Sequence, residues 1–321
     1  MDEFGIIARY FAPLAKDAGA LKLKDDAAFI SPRPGFDLVI STDQIAADTD
    51  FFPHDPPATV AKKAVRVNLS DLAAKGAMPE YYLLNLALPS LREEWLADFV
   101  AGLGEDQREF GISLLGGDTS ATEGPLSISI TAFGFVPQGK MVRRSGAKVG
   151  DTVYVSGTIG DSAGGLAIFK REKHQLADTQ RDYLTGRYQV PEPPVMFGAR
   201  SLGRVATASV DVSDGLIADL GHLADASKVK IELDVEAIPR SEALRAFWGD
   251  GVDAILRAAT AGDDYQIAFT APPEQEAKIR DAADRAGIQV TRIGLVRVGE
   301  GVVVTHEGQP LAAPRQGYQH F

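Results

Sequence analysis

Four stretches in the first half of the chain combine alternation of apolar and polar positions with β-branched content: FDLVIST (36–42), YYLLNLALP (81–89), ISLLGG (112–117) and LSISITAFGFV (126–136). Each is expected to form a strand. Two segments between them carry the helical period instead. One runs over about 57–76, starting after the prolines of HDPPATV; the other, over about 91–109, sets Trp95, Leu96, Phe99, Val100 and Leu103 on one face. The first half therefore reads as α/β.

The stretch RRSGAKVGD (143–151) is rich in Gly and charge and poor in apolar residues, so a domain boundary is placed there, dividing the chain into 1–143 and 144–321. Beyond it, DTVYVSG (151–157), KIELDV (230–235), YQIAFT (265–270) and GVVVTHE (301–307) read as strands. GDSAGGLAIF (160–169) reads as a turn entering a helix with KREKHQ as its solvated end, and about 214–226 and PEQEAKIRDAADRAG (273–287) read as helices. The second half is also mixed α and β.

The placing of aspartates changes the picture from architecture to chemistry. DDAA (25–28), STD (41–43), NLSDL (68–72), GGDTS (116–120), DVSDGL (211–216) and GDDY (262–265) set carboxylates beside Gly, Ser or Thr at the ends of apolar runs. Any one of these is equally a helix N-cap; six together suggest a shared site. Asp71 lies inside the apolar helical stretch VNLSDLAA, where an ionised group facing the core is costly unless paired or metal-bound, and Asn68 sits three residues earlier on the same face. A solvent-facing Asp71 is the alternative. Converging carboxylates would repel one another, and a cation would relieve them. Oxygen donors without cysteine or histidine in these motifs favour magnesium, calcium or manganese, and magnesium commonly shares its shell with substrate phosphates. Gly116 and Gly117 before Asp118 would let a phosphate approach the backbone, and Gly215 after Asp214 begins a helix whose N-terminus can bind an anion.

Other signals are weaker. The phosphate-loop, dinucleotide and protein-kinase signatures are absent from the sequence. GDSAGG (160–165) differs from the serine-protease GDSGG by an extra Ala, and Asp161 or Ser162 is read as a turn or helix cap. His174, His222 and His306 lie in polar contexts without ligand spacing, and His54 lies in the loop DFFPHDPP. Arg143 and Arg144 form a basic pair of the kind that is usually solvated, although one fixed arginine would suit a nucleotide phosphate.

Composition narrows the class of partner. Lys+Arg 33 against Asp+Glu 44 gives a net charge of -11, which disfavours nucleic acid. With no cysteine there are no disulfides, thiolate metal sites or cysteine nucleophiles, which fits a reducing cytoplasm. MDEFGIIARYF lacks the basic start and long apolar core of a secretory signal, and no run approaches the roughly 20 apolar residues of a membrane span. A cytoplasmic protein is expected.

In order and wording, DDAAF, ISTDQI, VNLSDLAAKGAMP, LLGGDTS, RRSGAKVGD, SGTIGDSAGGLAI, DVSDGL, GDDY and the closing GYQHF resemble the thiamine-monophosphate kinase family, from about residue 4 to the end. That family belongs with aminoimidazole-ribonucleotide synthetase and selenophosphate synthetase. The resemblance implies a two-domain α/β (α+β) fold, with an N-terminal sheet domain forming a homodimer and a C-terminal mixed α/β domain completing the ATP and substrate site. It implies several magnesium ions on Asp26, Ser41, Thr42, Asp43, Asp71, Asp118, Asp211 and Asp214, and ATP contacts from Phe110, Gly117, Asp118, Arg144 and Ser213. On the substrate side it implies Asp50, Asp263 and Tyr318. Three positions depart from the family pattern: Phe110 where Tyr is common, Asp50 where a His precedes the Phe matched by Phe51 (with His54 nearby), and Asp263 where GEDY has Glu.

The implied reaction is transfer of the ATP γ-phosphoryl group to thiamine monophosphate, in line, with no general base. Two rivals stand beside it. One is another ATP-dependent enzyme of the superfamily acting on a purine precursor; selenophosphate synthesis is disfavoured by the lack of cysteine. The other is a nucleotide-binding scaffold without catalysis.

Overall fold

In the computed structural model, which describes residues 3–172 and 175–311, the alternating stretch at 36–42 continues as one long strand, β1 (Phe36–Ala46). It is followed by α1 (Pro57–Ala74), β2 (Met78–Leu88), α2 (Glu93–Phe110), β3 (Ser113–Ala121) and β4 (Ser127–Pro137). Proline at the first position of α1 costs no hydrogen bond, because that amide has no partner within a helix. The four strands form one sheet in the order β1-β4-β2-β3, with β4 antiparallel to β1 and β2, and β2 parallel to β3.

The sheet is two-faced because its strands alternate. Val39 and Ile45 on β1, Tyr82, Leu84 and Leu86 on β2, and Ile128, Ile130 and Ala132 on β4 are buried. Helices α1 and α2 cover that face. Gln107 of α2 donates to the Tyr82 hydroxyl at 3.2 Å. Arg66 of α1 forks onto Asp106 of α2 (2.9 and 2.8 Å) and reaches Glu109 at 2.7 Å. Removing Arg66 alone would strand the buried Asp106 carboxylate, at a cost of about 3–5 kcal/mol. The opposite face carries Phe36, Leu38, Ile40, Thr42 and Gln44 of β1, all exposed.

The second part of the chain contains β5 (Thr152–Ser156), α3 (Asp161–Phe169), α4 (Asp178–Gln189), β6 (Ala208–Val212), α5 (Leu216–Ser227) and β7 (Lys230–Asp234). These are followed by α6 (Glu242–Trp248), α7 (Val252–Ala259), β8 (Gln266–Ala271), α8 (Glu276–Ala286), β9 (Val290–Arg297), β10 (Gly301–His306) and β11 (Gln309–Pro310). Its sheet runs β11-β10-β7-β9-β5-β8-β6. Strands β5, β6 and β8 are buried at every position, so they lack the alternation of the first sheet. Their core includes Val153, Val155, Val210, Val212, Leu220, Leu223, Ile231 and Ile293.

Six of these elements have no counterpart in the sequence reading: α4, α6, α7, β6, β9 and the two-residue β11. Strand β6 is only ASVDV, with Ser209 and Asp211 buried inside it, so no apolar run marks it. In α4 only Leu184, Arg187 and Tyr188 are buried, too few to set a clear helical period. Tyr265, expected in a strand, precedes β8 in a left-handed conformation (φ 53).

Spatially the chain forms two units, one from the chain up to Leu72 plus Ala77–Gly139, the other from Ala73–Gly76 plus the chain from Lys140 onward. The last residues of α1 thus cluster with the second unit. Among the described residues no helix is long and apolar enough to cross a membrane.

Candidate active site

In the first unit the β1 alternation points Ser41 and Asp43 toward α1, where Asn68 and Asp71 lie one turn apart on the facing side. Ser41 Oγ donates to Asp71 Oδ2 at 2.5 Å, and the Asp43 amide donates to Asn68 Oδ1 at 3.0 Å. Asn68, fully buried, is itself oriented by donating to the Ala64 carbonyl at 3.1 Å. Asp71 therefore faces this polar group, which removes the solvent-facing alternative. Burial, then the charge and hydrogen bond of Asp71, then the charge of Asp50, raise the Asp43 carboxyl from 3.8 to about 7. A group of hard oxygens that holds one carboxyl protonated by crowding is chemically suited to a divalent cation.

The crowding has a measurable sign. In the folded chain Asp43 keeps its proton to about pH 7, but in the unfolded chain it ionises near 3.8, so between these values the folded state binds more protons. The contribution is fully present below about pH 4 and is lost as pH rises through 7. In chelator, the melting temperature of Asp43→Asn should therefore gain on that of the wild type as pH is raised from 4 to 7. Adding magnesium should narrow the gap by stabilising the wild type.

Thr42 points the other way. Its hydroxyl lies 3.0 Å from that of Thr131, its cross-strand partner, and 3.1 Å from the Ile130 carbonyl, so the structure does not bring its side chain to Ser41, Asp43 and Asp71. Asp26 is exposed in a bend before β1, its amide donating to Asp25 Oδ1. Asp118 is exposed on the edge strand β3. It follows Gly117, which shares a register row with Leu84, Ile130 and Asp43. That row spans three strand spacings, about 14 Å, so Asp43 and Asp118 of one chain cannot ligate the same ion. Gly117 has φ 151, and a Cβ there would lie 1.7 Å from the Leu84 carbonyl oxygen.

Phe110 ends α2, half-buried, and the Arg66 guanidinium lies 5.1 Å from its ring centroid. Asp50 is a loop staple: Oδ2 accepts from the Ala46 amide at 2.8 Å, and its carbonyl accepts from the buried Lys63 ammonium at 2.7 Å. His54 is exposed, its ring 5.5 Å from that of Phe52. Tyr318 lies outside the described residues.

The second unit assembles its own group where β6 runs into α5. Asp211 is buried on β6, and Ser213 and Asp214 follow in the loop. The amides of Ser213, Asp214 and Gly215 all donate to Asp219 Oδ2 at 3.1 Å. Asp219 was missed by the sequence reading, although it stands one turn into the helix of DVSDGLIAD. Burial, followed by the Asp214 charge, raises its carboxyl to about 7 against the three amides. His222, read as bland, lies one further turn along, with its nitrogen and the carboxylate oxygens of Asp214 and Asp219 all within 4.8 Å of one another. The Asp219/His222 spacing was the available signal.

The GDDY loop packs on the same turn. Asp263 (φ 69) donates its amide to the Ser213 carbonyl at 2.8 Å, Tyr265 donates its amide to Val212 at 2.7 Å, and the Tyr265 hydroxyl donates to Asp263 Oδ1 at 3.0 Å. Two left-handed non-glycine residues in three positions are strained, and these bonds hold them. Asp264 turns inward, where its buried carboxylate accepts from the Gly160 amide at 2.7 Å. The start of α3 is thus capped by Asp264 and not by Asp161, which corrects the sequence reading. Asp161 accepts from the hydroxyls of Thr158, Tyr183 and Ser241. Ser162 is 1% exposed and its Oγ has no hydrogen-bond partner, so neither a base nor a substrate reaches it as a nucleophile. Arg144 is exposed on the RRSGA loop.

Comparison with known proteins gives this arrangement a family. Residues 24–136 match the N-terminal domain of AIR synthase related proteins, and residues 148–307 match the C-terminal domain. The thiamine-monophosphate kinase of Salmonella typhimurium is 39% identical over 99% of this chain and 98% of its own. The crystal structure of thiamine-monophosphate kinase from Stenotrophomonas maltophilia K279a superposes with a TM-score of 0.87 at 38% identity, covering 97% of this chain and 98% of the other. AaThiL complexed with AMPPCP and TMP superposes with a TM-score of 0.80 at 32% identity, covering 91% and 89%. With full-length identity at this level and a matching fold across both halves, the chain belongs to the thiamine-monophosphate kinase family.

Proposed function

We propose that this protein transfers the γ-phosphoryl group of ATP to thiamine monophosphate, producing thiamine diphosphate and ADP in the cytoplasm. One observation carries the reading to the residues: Ser41, Asp43, Asn68 and Asp71 converge on a crowded oxygen-donor group in a relative of a protein that binds AMPPCP and TMP. Asp43, Asp71 and Ser41 would hold metal from the first unit, with Asp26 and Asp118 as further oxygen ligands and Asp118 on a different ion from Asp43. Asp211 and Asp214 would hold metal from the second, whereas the Thr42 hydroxyl is turned to Thr131 and is not aimed at the Asp43 group. Magnesium on these oxygens supplies neutralisation of the charge on the transferring phosphoryl group.

The chain's own residues do the rest. Gly117 brings bare backbone to a phosphate, Phe110 offers a ring face to the base, Ser213 and Arg144 contact the phosphates, and Asp263 faces the acceptor. With Asp50 committed to its own loop, the exposed His54 takes the acceptor-side role of the family histidine. The acceptor phosphate has its second pKa near 6 and is anionic at neutral pH, so alignment is required and a general base is not. The test is turnover of purified protein with magnesium and ATP, offered thiamine monophosphate, thiamine or a purine nucleotide precursor in turn. Diphosphate should form from the monophosphate alone, and labelled ATP without acceptor should leave no phosphate on the protein. Turnover of the purine precursor, or of nothing, overturns the reading.

The uncovered sheet face supports a homodimer. Phe36, Leu38 and Ile40 stand in a row on it, Ile40 57% exposed, and an apolar face of this kind is stabilised by a second copy. Ile40→Lys should convert the dimer to monomer in light scattering with unchanged circular dichroism. A wild type that is already monomeric would remove the proposal.

A further inference from the structure

We propose that Ser227, the last residue of α5, is a positioning residue that fixes Arg144 for the phosphates of ATP. Its hydroxyl uses its full hydrogen-bonding capacity on the RRSGA loop: it donates to the Arg144 carbonyl at 3.0 Å and accepts from the amides of Gly146 at 3.1 Å and Ala147 at 3.2 Å. On the other side of Arg144, the Arg143 carbonyl accepts from the Ser209 amide of β6 at 2.9 Å. Gly146 adds a steric lock, because at φ 134 a Cβ would lie 2.4 Å from the Thr207 carbonyl oxygen. The backbone on both sides of Arg144 is thus held, while its side chain is exposed and forms no ion pair with any described residue.

A clamped backbone under an uncommitted guanidinium is the arrangement that lowers the entropy lost on capturing an anion. The clamp also refers Arg144 to a rigid frame. Asp219, near the other end of α5, holds the Ser213–Gly215 amides, and the eight helical steps from Asp219 to Ser227 rise about 12 Å. One helix therefore sets the spacing between the Asp214 loop and Arg144. The sequence contains no hint of this, since a serine ending a helix ordinarily reads as a cap.

The inference rests on the assignment of Arg144 to ATP, and a double-mutant cycle separates the two. Ser227→Ala should raise the KM for ATP and the Kd for AMPPCP about tenfold, leave the KM for thiamine monophosphate unchanged, and be rescued by Ser227→Thr. In an Arg144→Ala background the same substitution should change AMPPCP affinity less than about twofold. If Arg144→Ala alone leaves AMPPCP affinity intact, the assignment of Arg144 fails and the inference falls with it. If Arg144→Ala weakens binding but Ser227→Ala does not, or if Ser227→Ala costs the same in both backgrounds, the inference is overturned with the assignment intact.

Discussion

Asp71→Asn is expected to lower kcat by about 10³-fold, equivalent to about 4 kcal/mol of transition-state stabilisation, and at the same time to raise the melting temperature in chelator. Asparagine keeps the shape of the side chain and still accepts from Ser41, so the local hydrogen bond survives. What disappears is a negative charge. For catalysis that charge would help to hold metal against the phosphates. For the metal-free fold it is a burden, because it is the largest charge effect on the crowded Asp43 carboxyl. The opposite signs make the experiment decisive: a residue needed only for folding would lose activity and stability together. Retention of near-normal turnover would take Asp71 out of the metal site, and a lower melting temperature in chelator would contradict the crowding of Asp43. With magnesium the order should reverse, the wild type gaining more from the metal than the variant.

The second large effect is steric. Gly117→Ala should destabilise the first unit by ~3 kcal/mol or more and lower its melting temperature by about 6–12 °C. Two causes act together: φ of 151 is strained for an L-residue, and the added Cβ would lie 1.7 Å from the Leu84 oxygen, which cannot move without breaking the β2–β3 ladder. Gly116→Ala is the control, because its Cβ would meet only the flexible end of Leu83 at 3.4 Å. Melting curves of the two variants should therefore separate widely, and similar curves would show that the strand relaxes around the extra carbon.

Much of the first unit was legible in the sequence because its sheet is covered on one face. Alternation survives in FDLVIST and LSISITAFGFV, and the stretches between them keep a helical period that ends close to the observed helices. The second unit was less legible for the converse reason. Strands β5, β6 and β8 are buried on both faces, α4 exposes most of its residues, and in β6 the metal candidate Asp211 interrupts the apolar pattern. A short strand carrying a functional carboxylate looks like a loop motif when only the order of residues is known.

The same division applies to the chemistry. Residue type and order alone determined that hard oxygen donors are concentrated in a few Gly- and Ser-flanked segments, that thiolate chemistry is absent, and which family the motifs resemble, because those properties depend only on which side chains exist and in what sequence. Only the tertiary structure decided which donors meet. Strand alternation brings Ser41 and Asp43 onto Asn68 and Asp71 but turns Thr42 away. The fold also commits Asp50 and Asp161 to structural bonds, while Asp219 and Ser227 emerge as the holders of two loops. These outcomes depend on directions and distances between residues far apart in sequence, and such relations come into existence only when the chain has folded.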